Sequence, residues 1–159
     1  MDTLILGLGN PLRGDDGIGP RVIQELLRRG LPAGVLAVDG GAGGLDLLRW
    51  LEGHRQVVVV DAADMKREPG QFVRFTPREA RLVGTGDRPS LHNAGLGEVL
   101  TLAAALGRTL PEIVVYGVQP VEMDWRDGLS PAVESIIPAL VDALLNEIKG
   151  GTYAQDPGD

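Results

Sequence analysis

The 159-residue sequence predicts a layered α/β domain, in which a mostly parallel sheet is covered by helices on both faces. Short aliphatic runs alternate with longer segments whose apolar residues recur at helical spacing, as in strands joined by helical crossovers. One of these runs, residues 57–60, consists of four valines and has no polar face to present to water. With 43% hydrophobic and 23% charged residues, the composition is typical of a globular domain that folds in water.

The first half of the chain predicts three buried strands, at residues 3–8, 35–38 and 56–61. Each strand is an aliphatic run that ends in turn residues. A helix follows the first strand, with Asp15 or Asp16 as its N-terminal cap and Gly30 as its stop. A leucine-rich segment at residues 45–51 predicts a short second helix.

The second half of the chain begins with a strand of different character. Apolar and polar residues alternate over residues 72–76, which predicts an edge strand with one wet face, for which an antiparallel direction stays open. Residues 78–93 show no clear period and are predicted to form a loop. Asn93 then caps a helix that is closed by Gly107.

The chain is predicted to finish with one more inner strand, at residues 113–118, and a long helix. Ser130 caps this helix, Pro131 takes its first position, and Pro138 kinks it before it ends at about Ile148. Residues 150–159 have too little apolar content to pack. We therefore expect a single domain over residues 1–149, followed by a flexible tail at 150–159.

Composition argues against several classes of protein. The absence of cysteine removes disulfides, thiolate nucleophiles and cysteine-based zinc sites. A net charge of −7 with no basic stripe repels a phosphate backbone, so we expect no nucleic-acid partner. The start of the chain lacks a basic leader, and its apolar run is broken by Gly7 and Gly9, so no signal peptide or membrane insertion is expected. The predicted location is the cytoplasm.

Polar side chains follow several of the predicted strands. In an open α/β sheet the loops at the carboxyl ends of the strands bind ligands, and these loops can converge on one crevice. The candidates in these loops are Asp15, Asp16, Asp39, Asp61 and His92. The other histidine, His54, precedes the valine strand and is predicted to lie on the surface at the opposite end of the sheet.

Two carboxylates and one imidazole support two kinds of chemistry, while each aspartate alone also suits a cap or a turn. The set can hold a transition metal with open positions, or it can act as general acid and base on water. Both uses suit hydrolysis. None of the three serines lies in a Gly-x-Ser-x-Gly motif, the Gly7-Leu8-Gly9 segment lacks the third glycine of a dinucleotide site, and no P-loop follows a strand. No nucleotide cofactor is expected.

Five segments, in order and in register, resemble the maturation endopeptidases of nickel-iron hydrogenases, which trim the C-terminal extension of the large subunit. They are residues 7–19 (GLGNPLRGDDGIG), 39–41 (DGG), 60–62 (VDA), 90–96 (SLHNAGL) and 117–120 (GVQP). The resemblance extends over nearly all of residues 3–148 and implies a twisted five-stranded sheet between helix layers.

The resemblance also implies roles for individual residues. Asp16, Asp61 and His92 are implied to contact a nickel ion that arrives with the hydrogenase precursor, and the turn Asp39-Gly40-Gly41 is associated with recognising that partner. The implied activity is a peptidase of aspartic or metal-linked type, with Asp16 and Asp61 as catalytic residues.

Two mechanisms and three functions stay open at this level. In one mechanism an aspartate activates water while nickel polarises the scissile carbonyl; in the other the metal only marks the substrate and the two aspartates share a proton. A nickel-sensing chaperone that does not cleave its partner is one alternative function. Peptidyl-tRNA hydrolase, which has a similar opening motif, is the other, but an acidic chain without an early histidine disfavours it.

Overall fold

The computed structural model describes residues 2–82, 96–121 and 123–153, with backbone only for residues 80–82 and 151–153. The strands are β1 Thr3–Leu8, β2 Val35–Gly41, β3 Gln56–Ala62, β4 Phe72–Phe75 and β5 Glu112–Val118. The helices are α1 Ile18–Arg29, α2 Asp46–Leu51, α3 Pro77–Leu82, α4 Leu96–Ala105, α5 Pro131–Glu134 and α6 Ile137–Tyr153. A 3₁₀ turn at Gly14–Gly17 joins β1 to α1.

The five strands form one mixed sheet in the order β2-β1-β3-β5-β4. Pairs β1–β2, β1–β3 and β3–β5 are parallel, whereas β4 pairs with β5 in the antiparallel direction. The valine strand β3 is the central strand, and Val57 to Val60 are fully buried. The predicted α/β class, the central position of β3 and the edge position of β4 are confirmed.

Alternate residues of the central strand pack into two separate cores. Val58 and Val60 lie on the face covered by α1 and α6, where Leu26 and Leu144 are fully buried. Val57 and Val59 lie on the other face, where α2 and α4 contribute Leu47, Leu51, Val99 and Leu100. The protein is therefore a three-layer sandwich, because β3 has no side that faces water.

Helix α3 corrects the loop predicted at residues 78–93. The Thr76 hydroxyl accepts a hydrogen bond from the N–H of Glu79 at 3.1 Å, and the Glu79 carboxylate accepts one from the N–H of Thr76 at 3.3 Å. This is a capping box, and Pro77 occupies the first helical position. The sequence contains the Thr-Pro-x-Glu signature of this capping box. The residues that follow it have only a weak apolar period, so the helix was not predicted.

The C-terminal helix also differs from its prediction. The chain forms a short helix α5 and then α6, separated by residues 135–136. The sequence had predicted one helix with a kink at Pro138. Proline lacks an N–H for the carbonyl of Glu134 and its ring clashes with that carbonyl, so one continuous helix is not formed. Helix α6 continues to Tyr153, so residues 150–153 of the predicted tail are helical, and residues 154–159 lie outside the described residues.

The start of α1 corrects a third expectation. Gly17 is the N-terminal cap of α1, and it makes no side-chain capping bond. Neither Asp15 nor Asp16 caps the helix, because both lie in the 3₁₀ turn that precedes it. Their side chains are therefore available for other contacts. No described helix is long and apolar enough to cross a membrane.

Helix α1 approaches β1 closely where two glycines face each other. A Cβ on Gly7 would lie 2.5 Å from the carbonyl oxygen of Gly19 and 2.6 Å from Cγ1 of Ile23. These contacts are with backbone and a buried core side chain, so neither can move without shifting the helix. The missing side chain sets the distance between α1 and the sheet.

Replacing Gly7 by Ala is expected to reduce the free energy of unfolding by about 1–3 kcal/mol, because overpacking pushes α1 from β1. Urea denaturation measures the change. Gly97→Ala is the matched control, since a Cβ on Gly97 meets nothing within 4 Å and alanine favours the helix α4. Equal stability of the two variants would contradict this account.

Candidate active site

The site lies at the carboxyl ends of the neighbouring strands β1 and β3. Asp61 is the penultimate residue of β3, and Asp16 lies in the 3₁₀ turn that follows β1 and packs against β3. Because both strands run parallel, their ends meet at one edge of the sheet. Two of the predicted site residues are thereby brought together.

The turn that carries Asp16 is held in a compact conformation by its own backbone. Gly9 has a φ of +132°, and a Cβ there would lie 1.8 Å from the carbonyl oxygen of Asp16. Asn10 supports the turn by accepting a hydrogen bond from the N–H of Leu12 on its side-chain oxygen at 2.9 Å. Only glycine fits at position 9, and its absence of a side chain lets Asp16 fold back over the end of β1.

Asp16 is a buried carboxylate with one partnered oxygen. It is 5% exposed, and its Oδ2 accepts a hydrogen bond from the N–H of Asn10 at 2.8 Å. Its Oδ1 is buried and has no hydrogen-bond partner among the described residues. A buried oxygen without a donor is rare in folded proteins, and it is the kind of atom that a ligand, a proton or a cation satisfies.

Asp61 is the second such carboxylate. It is 3% exposed, its Oδ1 also lacks a partner among the described residues, and the N–H of Ala62 donates to its carboxylate. Burial raises the pKa of Asp61 well above its usual range, and the nearby charge of Asp16 raises it further. Asp61 therefore keeps its proton to a higher pH than an exposed aspartate.

Asp15 has a structural role. Its carboxylate is almost fully buried and accepts hydrogen bonds from the N–H of Val121 at 2.8 Å, the N–H of Ser130 at 2.7 Å and the Ser130 hydroxyl at 2.9 Å. These bonds hold the segment that follows β5 against the 3₁₀ turn. With its acceptor capacity used in this way, Asp15 is not part of the carboxylate pair.

Asp39 lies apart from the pair, at the end of the edge strand β2. Its side chain is exposed, and its Oδ1 accepts a hydrogen bond from the N–H of Gly41 at 2.9 Å. This is the turn interaction that short polar side chains form with the backbone two residues ahead. Gly40 and Gly41 complete the turn, and Gly41 has a φ of +66°.

The two histidines cannot be treated alike. His92 lies outside the described residues, so its predicted place beside the aspartates stays a prediction. His54 precedes β3 and lies at the amino end of the strands, away from the carboxylates, as predicted. Within residues 2–82, 96–121 and 123–153, no three acidic or histidine side chains converge to hold a metal ion.

Gln119 is a residue of the site region to which the sequence alone assigned no role. It is buried after β5, and its side-chain oxygen accepts hydrogen bonds from the N–H groups of Met65 at 2.6 Å and Arg67 at 3.3 Å. Its amide nitrogen also donates to the carboxylate of Asp64 at 3.3 Å. Gln119 thus fixes the segment that leaves β3 directly after Asp61. Gln119 belongs to the 117–120 segment that resembles the family motif, but only its long-range contacts identify this function.

The arrangement suits acid–base chemistry on a bound carbonyl group. Two carboxylates that share a dry site do not ionise independently, so one can hold a proton while the other accepts one. The two unpartnered oxygens also provide hard donors for a cation carried by a ligand.

Comparisons with known proteins give a consistent result. The hydrogenase maturation protease profile matches residues 20–147. The chain is 37% identical to the hydrogenase expression/formation protein HupD of Bradyrhizobium diazoefficiens, covering 87% of this chain and 73% of that protein. It is 33% identical to the hydrogenase 2 maturation protease of Escherichia coli, covering 97% and 95% of the two chains.

A solved structure agrees with the sequence relatives. The hydrogenase maturating endopeptidase HybD from E. coli superposes with a TM-score of 0.81 at 29% identity, over 95% of this chain and 94% of that one. The similarity therefore extends over nearly the whole length of both chains.

Replacing Asp15 by Ala removes the acceptor of three hydrogen bonds and leaves the buried N–H of Ser130 unpaired. We expect the free energy of unfolding to fall by about 2–4 kcal/mol, since each buried donor left without a partner costs about 1–3 kcal/mol. Urea denaturation tests this. Asp142→Ala removes an exposed carboxylate from a surface ion pair with Arg29 and should cost under about 1 kcal/mol. Similar losses in both variants would disprove the structural role of Asp15.

Replacing Asp61 by Asn should change how stability depends on pH. Because the folded pKa is raised, the stabilisation linked to the neutral group is complete below the unfolded pKa of about 3.9 and is lost as the pH rises through the folded pKa. Asparagine cannot ionise, so the variant should gain stability relative to the parent as the pH rises above about 4.

Thermal and urea denaturation across this pH range measure the difference. Asp39→Asn, which removes an exposed carboxylate outside the pair, is the control. A constant difference between Asp61→Asn and the parent at every pH would show that Asp61 does not hold its proton as described.

Proposed function

The chain belongs to the hydrogenase maturation protease family, and from this premise we propose that it removes the C-terminal extension from the nickel-loaded large-subunit precursor of a [NiFe] hydrogenase. The observation that carries the proposal is the pair of buried carboxylates, Asp16 and Asp61, each with an unpartnered oxygen. Neither oxygen has a structural use within the described residues. A peptidase has a use for both.

The raised pKa of Asp61 assigns the two aspartates different parts of the reaction. Asp61 holds its proton and can donate it to the nitrogen of the departing amine. Asp16 accepts a proton from the attacking water. The burial that raises the pKa of Asp61 also keeps other water away from the scissile bond, which favours proton transfer within the site.

Nickel enters this proposal as a part of the substrate. If the two aspartates recognise the metal instead of exchanging protons, Asp16 and Asp61 would contact it through their free oxygens, and His92 would supply the nitrogen ligand that nickel favours. The assignment of His92 depends on the segment at residues 90–96, where the sequence resembles the family motif. Bound in this way, the metal would allow the enzyme to distinguish a loaded precursor from an empty one.

The turn at Asp39, Gly40 and Gly41 is proposed to contact the precursor at a distance from the cut. Its carboxylate is exposed at the sheet edge next to β1, and the hydrogen bond to Gly41 fixes its direction. We place the reaction in the cytoplasm, with which a chain without cysteine is compatible.

The alternatives from the sequence are not retained. The matching family and the two E. coli proteins are named as proteases or endopeptidases, which supports cleavage over the action of a metal-sensing chaperone. Peptidyl-tRNA hydrolase is excluded by the same family assignment.

Incubation of the purified protein with a nickel-loaded precursor should give a shorter large subunit, as detected by mass spectrometry. Precursor without nickel should stay intact. Asp61→Asn and Asp16→Asn should reduce cleavage by about 100-fold or more, because loss of a positioned acid or base typically has an effect of this size. His92→Ala should weaken cleavage strongly.

Asp142→Asn, on the surface of α6, is the control and should cleave at the parental rate. Binding measured in parallel separates the two mechanisms: loss of nickel-dependent binding together with cleavage in Asp16→Asn indicates recognition, whereas retained binding without cleavage indicates acid–base catalysis. An unchanged precursor mass in a stable complex with the parent protein would instead show a chaperone. Cleavage that survives both nickel chelation and His92→Ala would refute the proposal.

A further inference from the structure

Two large apolar side chains are exposed next to the carboxylate pair. Leu12 is 59% exposed and Trp125 is 76% exposed. They lie on neighbouring backbone segments joined by two hydrogen bonds, from the N–H of Gly14 to the carbonyl of Arg126 at 2.8 Å and from the N–H of Arg126 to the carbonyl of Leu12 at 2.9 Å. Both side chains therefore project from backbone that is held in place.

Arg13 connects these two residues. Its guanidinium carbon lies 5.6 Å from the centroid of the Trp125 ring, a distance at which a cation is attracted to an aromatic face. Its Nε is buried and has no acceptor among the described residues. The Arg13 side chain therefore lies beneath the Trp125 ring and leaves the outer part of the ring exposed.

The surface formed by Leu12, Arg13 and Trp125, here called the rim surface, is continuous with the active site. The N–H of Asp16 donates to the carbonyl of Arg13 at 3.2 Å, so Asp16 and the rim surface belong to one turn. Three residues of extended polypeptide span roughly 10 Å, so residues near a scissile bond reach the outer face of such a turn.

Resting on the proposed function, we propose that the rim surface binds an apolar side chain of the precursor within a few residues of the scissile bond. The side chain packs on Trp125 and Leu12, and the Arg13 guanidinium holds the Trp125 ring in place beneath it. Tryptophan and arginine are the residues that most often dominate binding at protein interfaces. A large aromatic side chain left in water on a held loop is otherwise unfavourable.

Binding of nickel-loaded precursor to the uncleaving variant Asp61→Asn tests the proposal. Adding Trp125→Ala or Leu12→Ser in that background should raise the Kd roughly tenfold, and Trp125→Phe should recover part of the loss. The matched control is Leu27→Ser on α1, since Leu27 is 58% exposed and lies outside the site. Equal Kd values for Leu12→Ser, Trp125→Ala and Leu27→Ser would overturn the proposal.

A spectroscopic measurement reports on the contact itself. The chain has two tryptophans, so Trp50→Phe in the Asp61→Asn background leaves Trp125 as the only indole. Precursor binding should shift its fluorescence to shorter wavelength, because the ring leaves water. Binding without a shift would show that the precursor does not cover Trp125.

Kinetics in the active protein keep the two proposals distinguishable. Trp125→Ala should raise KM with little change in kcat, since it removes binding but no reacting group. If the parent cleaves the precursor and Trp125→Ala leaves KM unchanged, the rim surface has no role while the proposed function stands. If the parent neither binds nor cleaves it, both proposals fail. Concentration-dependent dimers of the parent that Trp125→Ala abolishes would identify a second copy as the occupant instead.

Discussion

The structure depends on burying two carboxyl groups together, away from water. This burial opposes folding, and the rest of the chain must offset its free-energy cost. Desolvation and the charge of Asp16 raise the pKa of Asp61, so Asp61 keeps its proton to a higher pH than an exposed aspartate does. Such a site needs walls that exclude water and backbone that cannot relax. The fully buried valines of β3 provide the walls, and the turn folded over Gly9 provides the rigid backbone.

The loops around the pair are held by polar contacts that take no part in the chemistry. Asp15 joins the 3₁₀ turn to the segment after β5, and Gln119 joins the end of β5 to the segment after Asp61. Each uses one buried side chain to satisfy several backbone donors. This is an economical means of ordering loops at the end of a sheet, where no strand partners are available. Asp16 and Asp61 each keep an oxygen without a partner among the described residues, because Asp15 and Gln119 satisfy the nearby backbone donors.

Much of the fold could be predicted from local patterns. The four valines of β3 are apolar on both faces of the strand, so both faces had to be covered by helices. The alternation of apolar and polar residues in β4 leaves one face for water, which suits the edge of the sheet. Helix α3 was missed because its signal is a pair of capping side chains, and the break before Pro138 was expected as a kink. Both errors concern short helices, where a few hydrogen bonds outweigh periodicity.

The sequence by itself determined the α/β class, the central strand and the aspartates at the strand ends, since periodicity and chain order carry that information. It also indicated the family, through motifs spread along most of the chain. The resemblance also pointed to Asp16 and not to its neighbour Asp15. Only the tertiary structure decided the contacts that separate the two: Asp15 accepts hydrogen bonds from Ser130 and Val121, whereas Asp16 lies near Asp61. The pairing of Arg13 with Trp125 was invisible in the sequence. Side chains more than a hundred positions apart meet only when the chain folds, and contact of that kind leaves no local pattern.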